Sequence, residues 1–303
     1  MPYEEAALVA KSFGLELSRS LVDKLTMSCA QSCREHVATK LASEPGSRST
    51  EVKQHEPWSG SSARKLVLQV DGVCVLGCPE QGQCPGLEIK SAVLYPQDSP
   101  SQRWMVAERC SAEAFLPLLA GLLQQAGVTS ADRLIGLGDG ASWIENAFAY
   151  LQAVHITDVY HACEYLDTVM QALGWDETAR QEQRRNWYRG QLNARDWLAQ
   201  HLPDPNVWLA WDEHAQTALR YLETRLDSMD YARFSQLGYP IGSGQVEAMN
   251  KAVIGHRMKR SGMHWSKEGA ASMAALRAQT CAKFPLVSFE DLRFHAFALP
   301  DSS

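Results

Sequence analysis

The sequence predicts an α/β protein whose mixed β-sheet carries helices on its faces, and three observations support that class. Residues 66–76 are nearly continuous in apolar side chains, which is typical of a central strand buried on both faces. Two shorter apolar runs follow, the first ending at Asp139 and the second at Ile156. Amphipathic helical patterns stand between these runs, so the element order β-β-β-α-β-α-β predicts a mixed sheet covered by helices.

The individual elements follow from periodicity and from turn residues. We expect a short helical N-terminal segment over 1–41, with helices at 4–12 and 18–41, and then a linker of Gly, Ser and Pro composition over 42–63. Strands are predicted at 65–76, 86–95, 103–109, 134–137 and 154–156, and helices at 112–126 and 142–151. An all-helical insertion is predicted at 160–234, which leaves 64–159 and 235–285 as the core and 286–303 as a C-terminal tail.

Composition limits the class of protein. Hydrophobic residues make up 45% and charged residues 21% of the 303 residues, which is ordinary for a protein with a buried core. The sequence has no run of eighteen apolar residues and no secretory-signal pattern, so we expect no membrane partner. The eight cysteines show neither disulfide-framework nor zinc-site spacing, and we interpret them as reduced thiols of a cytoplasmic protein.

Charge is unevenly distributed along the chain. The net charge of −6 argues mildly against nucleic acid, because DNA-binding proteins usually carry a basic excess. Residues 251–267, here called the basic segment, contain only cations among their charges. We predict that this segment binds DNA phosphates and that its tryptophan stacks on a base, through Lys251, Arg257, Lys259, Arg260, His264 and Trp265. The alternative is a solvated basic face.

Three acidic residues stand where secondary-structure elements are expected to end or begin. Asp71 and Asp139 each end an apolar run and precede a glycine, which would let the chain turn sharply away from the strand. Glu247 stands near the start of a predicted helix. Two metal ions about 3.5–4 Å apart, held by carboxylates, can cleave a phosphodiester. The set therefore predicts metal-assisted chemistry on a nucleic-acid backbone, although a single Asp-Gly pair is typical of an ordinary turn.

Two further patterns leave alternatives open. The Gly-Ser-Gly sequence before Glu247 is either a phosphate-cradling loop or a helix start capped by Ser243. Asp158 and His161 would share one face of a helix, where they could assist at a metal, position DNA or pair with each other.

Several of these strings resemble a known family. The motifs are Val70-Asp71-Gly72, Gly138-Asp139-Gly140, Asp158-Val-Tyr-His161 and Pro240-Ile-Gly-Ser-Gly-Gln-Val-Glu247. Together with the following Arg257-Met-Lys-Arg-Ser-Gly-Met-His-Trp-Ser266 they are similar to bacterial insertion-sequence DDE transposases of the ISKra type, which are related to Mutator-like and hAT transposases. The last string is the most specific, and the resemblance covers about residues 65–280.

The resemblance implies an RNase H-like core with a helical insertion before its final helix. It implies that Asp71, Asp139 and Glu247 are catalytic and hold Mg²⁺, for which Mn²⁺ substitutes, as a pair of ions for DNA strand cleavage and strand transfer. It gives Asp158 and His161 an accessory role in handling DNA. The implied partners are double-stranded DNA and a second copy of the chain in a dimer, in the bacterial cytoplasm at the nucleoid.

One departure from the family is expected to matter. Family members carry a longer N-terminal region with a cysteine-rich DNA-recognition module, whereas here the helical segment that precedes the core begins at Met1. We therefore expect an N-terminally truncated copy. Two other functions stay open: an RNase H-like nuclease without strand transfer, and an inactive or non-autonomous remnant that acts only by binding DNA.

Overall fold

A computed structural model of the chain describes residues 3–42, 64–202, 206–288 and 292. Its centre is one mixed sheet, formed by β1 (Lys65–Leu76), β2 (Gly86–Pro96), β3 (Trp104–Glu108), β4 (Arg133–Gly138) and β5 (Val154–Thr157). The strands are ordered β3-β2-β1-β4-β5. The first three form an antiparallel meander, while β4 and β5 run parallel to β1. The predicted α/β class, mixed sheet and strand positions are confirmed.

Helices cover both faces of the sheet. The described helices are α1 (Tyr3–Ser12), α2 (Arg19–Ala42), α3 (Ala112–Gln125), α4 (Ser142–Tyr150), α5 (Val159–Ala172), α6 (Glu177–Tyr188), α7 (Ala194–His201), α8 (Glu213–Glu223), α9 (Tyr231–Gln236), α10 (Gly244–Asn250), α11 (His256–Met258) and α12 (Lys267–Cys281). Short 3-10 turns lie at Val207–Ala210 and Leu226–Met229, and a π-helical turn at Lys251–Gly255 joins α10 to α11. The predicted linker, apart from Ala42 in α2, and most of the predicted tail fall outside the described residues.

The sheet separates two hydrophobic layers, and side-chain alternation along β1 assigns residues to them. Leu66, Leu68 and Val70 pack with α2, α3 and α4 on one face. Val67 and Val75 point to the other face, where α5, α10, α12 and the predicted insertion lie. This period of two is the pattern of a strand buried on both sides, as the continuous apolar run predicts.

The helices of the predicted insertion add tryptophans to the second layer. Trp187 is fully buried and makes an edge-to-face contact with Tyr231 at a centroid distance of 5.5 Å. Trp197 is also buried, in the same layer as Val67. The insertion and the sheet thus share one continuous core, and the boundary at residue 160 stays a prediction. Across the described part of the chain, no helix combines the length and apolar character needed to cross a membrane.

Asp71 lies inside β1 rather than at its exit, which corrects the prediction from the apolar run. β1 continues to Leu76 because β2 keeps pairing with it, and Ser91 of β2 lies opposite Asp71. The pairing of β1 with β4 ends near Asp71, because Gln69 is the last residue of β1 that pairs with β4. Asp71 therefore lies where pairing with the parallel strand β4 has stopped and pairing with the antiparallel strand β2 continues.

Candidate active site

Three aspartates stand in register just beyond the point where the parallel pairing of β1, β4 and β5 ends. Gln69 of β1 pairs with Leu137 of β4, so that two residues further along each strand Asp71 comes beside Asp139. The register of β4 with β5 places Asp158 beside Asp139 in the same way. Adjacent strands lie about 4.8 Å apart and alternate residues share a face, so these aspartates belong to one face of the sheet.

The carboxylate of Asp71 is held at both oxygens. Oδ1 accepts the backbone N–H of Gly72 at 2.7 Å, and Oδ2 accepts the side-chain N–H of Asn250 at 2.7 Å. Burial raises the pKa of Asp71 and the charge of Asp139 adds to this rise, while the bonds from Gly72 and Asn250 oppose it. The carboxylate is therefore oriented by neutral donors, and no cation among the described residues forms an ion pair with it, which is an environment that favours a bound cation.

Asp139 lies in the turn that follows β4, and its Oδ1 accepts the N–H of Ala141 at 2.8 Å. Gly140 has φ +83°, and a Cβ on it would come 2.7 Å from both Arg225 Nε and Tyr221 Oη. Arg225 donates to the Gly140 carbonyl from Nε and Nη2 at 3.0 and 2.6 Å, and Tyr221 donates to the Asp139 carbonyl at 2.5 Å. The end of α8 thus fixes the turn that presents Asp139, and only glycine fits at position 140.

Asp158 caps α5 and is 1% exposed. Its Oδ1 accepts the backbone N–H groups of Tyr160 and His161, each at 2.9 Å, and its Oδ2 accepts the N–H of Ser243 at 2.5 Å. Burial alone would raise the pKa of Asp158, but the hydrogen bonds from His161 and Ser243 outweigh it and hold that pKa below its ordinary value. Because both oxygens are engaged, Asp158 anchors α5 and the loop before α10.

His161 brings a positive charge to the aspartates. Its Nδ1 lies 3.1 Å from Asp158 Oδ1, and the side chain is half exposed. The hydrogen bond with Asp158 raises the pKa of His161 to about 9 against the opposing effect of partial burial, and the charges of Asp158 and Asp139 add to the rise. The imidazolium also lowers the pKa of Asp71. Of the alternatives predicted for the Asp158-Val-Tyr-His161 motif, the pairing of its two ends is therefore present.

Glu247 does not join the aspartates in this arrangement. Its side chain on α10 is 65% exposed and forms an ion pair of 2.8 Å with Lys251. Asn250, three residues later on α10, is the residue that reaches Asp71. Within residues 3–42, 64–202, 206–288 and 292, no group of three or more His, Cys, Asp or Glu side chains is placed to hold a metal ion. Asp71 and Asp139, neighbouring carboxylates with like charge, nevertheless fit a divalent cation by their chemistry.

Gln69, and not Ser243, ties the start of α10 to the sheet. Ser243 occupies the N-cap position but makes no capping hydrogen bond with its side chain, which corrects the capping interpretation. Gln69 is buried, and its Oε1 accepts the N–H of Val246 at 2.8 Å. Its Nε2 donates to Tyr95 Oη at 2.8 Å and to the Gly242 carbonyl at 3.3 Å. The phosphate-cradling interpretation of the loop stays a prediction.

The basic segment divides into exposed and buried side chains. Of the side chains predicted to contact DNA, four are exposed: Lys251, Lys259, Arg260 and His264. Arg257 is only 9% exposed, and its guanidinium lies 4.5 Å from the ring centroid of Tyr3 and 5.5 Å from that of Trp265. The half-buried Trp265 donates its indole N–H to the Met258 carbonyl at 3.0 Å. Arg257 therefore packs against Tyr3 and Trp265, while its contact with DNA and base stacking by Trp265 stay predictions.

Sequence reasoning missed the residues that support the aspartates. Gln69 could have been recognised from the sequence, because a polar residue within a strand buried on both faces needs a specific hydrogen-bond partner. Asn250 and Ser91 could not be recognised in this way. The Oγ–H of Ser91 donates to Asn250 Oδ1 at 2.7 Å, but the two residues lie 159 positions apart in the sequence. The same holds for Tyr221, whose contact with Asp139 spans 82 residues.

Comparison with known proteins assigns the chain to no family. No protein-family model matches the chain, and no curated protein matches it significantly.

Proposed function

We propose that the chain is the catalytic region of a DDE transposase with an RNase H-like core. It would cleave DNA strands at the ends of an insertion sequence and transfer them to target DNA. The observation that carries the proposal is the placement of Asp71 beside Asp139 on one face of adjacent parallel strands. The antiparallel meander followed by two parallel strands, with helices on both faces, supports the RNase H-like interpretation.

Asp71 and Asp139 are the residues that would hold Mg²⁺, or Mn²⁺ in its place, with Glu247 as the third ligand of a pair of ions. Bound there, such ions supply activation of the attacking hydroxyl and stabilisation of the leaving oxygen. Glu247 enters this set by leaving its exposed ion pair with Lys251. Exposed pairs of this kind contribute about 0–1 kcal/mol, so the rearrangement costs little.

The protein's own groups organise the proposed site. Asn250 orients the carboxylate of Asp71, and the Tyr221 contact fixes the turn that carries Asp139. Asp158 keeps a proton on His161, whose imidazolium lies in the field of the aspartates and is half exposed. We assign to His161 the binding of a phosphate oxygen of the DNA strand, an interaction that charge assistance strengthens.

Double-stranded DNA is the proposed partner, and the exposed cations of the basic segment are its proposed phosphate contacts: Lys251, Lys259, Arg260 and His264. The segment starts directly after Asn250, so it continues from the helix that meets Asp71. We further propose a dimer, because the joining of two element ends needs two catalytic sites, and a location at the nucleoid of the bacterial cytoplasm.

The test is nicking and strand joining on DNA that carries the flanking element ends, with Mg²⁺ or Mn²⁺. Asp71→Asn and Asp139→Asn are expected to lose both reactions while an electrophoretic shift shows that DNA binding is kept. Asp98→Asn makes the same chemical change on the exposed turn between β2 and β3 and is expected to stay active. Full activity of either active-site variant would sink the proposal.

A second candidate is a protein that binds DNA without cutting it, and one observation favours it. Glu247 pairs with Lys251 instead of facing the aspartates. This candidate predicts DNA binding by the wild type and no nicking with either metal. Nicking without strand joining in the same assay would instead support the RNase H-like nuclease.

A further inference from the structure

The hairpin between β1 and β2 carries three exposed thiols: Cys74, Cys78 and Cys84. The hairpin turns at Gln81 and Gly82, whose φ angles of 51° and 81° are the combination required by a type I′ turn. Glu80 and Gln83 close the turn with two backbone hydrogen bonds of 2.8 and 3.0 Å. Gly77 bonds to Pro85 in the register of β1 and β2, so the first arm has one residue more than the second between that contact and the Glu80–Gln83 pair, which is a β-bulge.

Cys84 lies opposite Cys78 and Pro79, the two residues of the bulged first arm. The N–H of Gly77 donates to the Pro85 carbonyl at 2.7 Å, which continues the antiparallel register of β1 and β2 by one residue. The next position on each arm is a cysteine. Facing Cα atoms of antiparallel strands lie roughly 4.5–5.5 Å apart, and the shorter spacing belongs to the pair that follows a hydrogen-bonded pair. Disulfides span about 4.4–6.8 Å between Cα atoms, a range that includes this regular spacing and leaves room for the displacement of Cys78 by the bulge.

Both thiols project from the same face of the hairpin. Val75 of β1 and Leu87 of β2 are each 3% exposed, and alternation along the arms turns Cys78 and Cys84 to the opposite, solvent side. A proline directly follows each cysteine, which restricts both to extended backbone conformations. The two side chains are thus ordered before any bond forms between them.

We propose that Cys78 and Cys84 form a dithiol site that a small-molecule disulfide, such as glutathione disulfide, oxidises to an intrachain disulfide. The thiolate of one cysteine attacks the small disulfide, forms a mixed disulfide and releases one thiol. The thiolate of the other cysteine attacks the protein sulfur of the mixed disulfide, forms the Cys78–Cys84 bond and releases the second thiol. Two electrons pass to the small disulfide, and the two cysteine protons leave on the released thiols. This site does not depend on the proposed function.

The same arm also supports the end of the basic segment. The N–H of Cys78 donates to the Trp265 carbonyl at 2.9 Å, and the N–H of Trp265 donates to the Leu76 carbonyl at 3.0 Å. Cys74 lies on this arm as well, but Glu88 faces it, so it has no thiol opposite. Cys74 is therefore an internal control, because it is also exposed to the oxidant but has no thiol opposite it for the second step.

The test treats the folded full chain with glutathione disulfide, alkylates the remaining thiols and digests without reductant. Cleavage after Glu80 separates the two cysteines, so only a disulfide keeps their peptides together. The expected product is the linked peptide pair, with two hydrogen atoms lost, and a glutathione adduct on Cys74. Cys78→Ser and Cys84→Ser should each give a lasting adduct on the remaining cysteine, and Cys74→Ser should leave the link intact. Separate adducts on Cys78 and Cys84 without linked peptides, or a link through Cys74, would overturn the proposal.

Discussion

The side-chain amide of Asn250 donates a hydrogen bond of 2.7 Å to Oδ2 of Asp71, and this contact joins the last helix before the basic segment to the central strand. Ser91 fixes the orientation of the amide, because its Oγ–H donates to Asn250 Oδ1 at 2.7 Å and leaves the amide nitrogen facing Asp71. Asn250 ends α10 directly before the π-helical turn Lys251–Gly255. Such turns are rare and frequently lie at functional sites.

Asn250→Ala is expected to lower the free energy of unfolding by about 1–3 kcal/mol, because it leaves the half-buried carboxylate of Asp71 without one of its two donors. Denaturation in urea measures the change. Gln245→Ala, on the same helix but with its amide directed to Arg103, is the matched control and should cost less. Equal losses in the two variants would contradict the role given to Asn250.

His161 makes stability depend on pH in a defined window. Its pKa in the folded protein is about 9, above the ordinary value of 6.5, so the contact with Asp158 contributes fully below pH 6.5 and is lost as the pH rises through about 9. Since the side chain is half exposed and screened by solvent, we expect about 1 kcal/mol or less. The difference in unfolding free energy between wild type and His161→Gln should shrink over this window. A difference that is constant with pH would contradict the pairing.

The two arginines Arg257 and Arg260 should behave differently. Arg257→Ala removes a buried guanidinium that contacts Tyr3 and Trp265, and we expect it to lower the stability by about 1–2 kcal/mol. Arg260→Ala should leave the stability within about 0.5 kcal/mol, because Arg260 is exposed. It should instead weaken DNA binding and reduce the slope of log affinity against log salt by about 1. Unchanged affinity for DNA in Arg260→Ala would remove this residue from the proposed interface.

Glu247→Gln separates catalysis from stability. The exposed ion pair with Lys251 contributes about 0–1 kcal/mol, so the variant should fold as well as the wild type. If Glu247 is the third metal ligand, metal-dependent nicking should fall by more than about a hundredfold, which is the upper range for loss of a supporting contact. Nicking at the wild-type rate would show that Asp71 and Asp139 suffice and would favour the nuclease alternative.

The strands of the sheet could be predicted because the residues that determine each strand are close together in the sequence. The apolar runs and the Gly- and Pro-containing turns define all five strands. In the predicted insertion Trp187 and Trp197 are buried, while Trp175, Trp208 and Trp211 are partly buried. The sharp turn expected at Asp71-Gly72 is absent, because pairing with β2 continues the strand through this sequence, which is typical of turns.

The candidate site was predictable only in its acidic residues. Asp71 and Asp139 each end an apolar run, and the two runs form paired parallel strands. That these two residues lie close together could therefore be inferred from the sequence. Their supporting contacts depend on partners far along the chain, such as Asn250 for Asp71. The exposure of a cation also depends on packing. Arg257 is buried because α1 and Trp265 cover it. The charged residues next to Arg257 in the sequence do not indicate this burial.

The most direct test of the central claim is Mn²⁺-dependent nicking of DNA that carries the element ends, by wild type beside Asp139→Asn. Asparagine keeps the side-chain oxygen that accepts the N–H of Ala141, so the turn should persist while the charge is lost. We predict nicking by the wild type and a loss of more than about a hundredfold in the variant, with DNA binding retained. Equal nicking by the two proteins would contradict a metal site at Asp71 and Asp139.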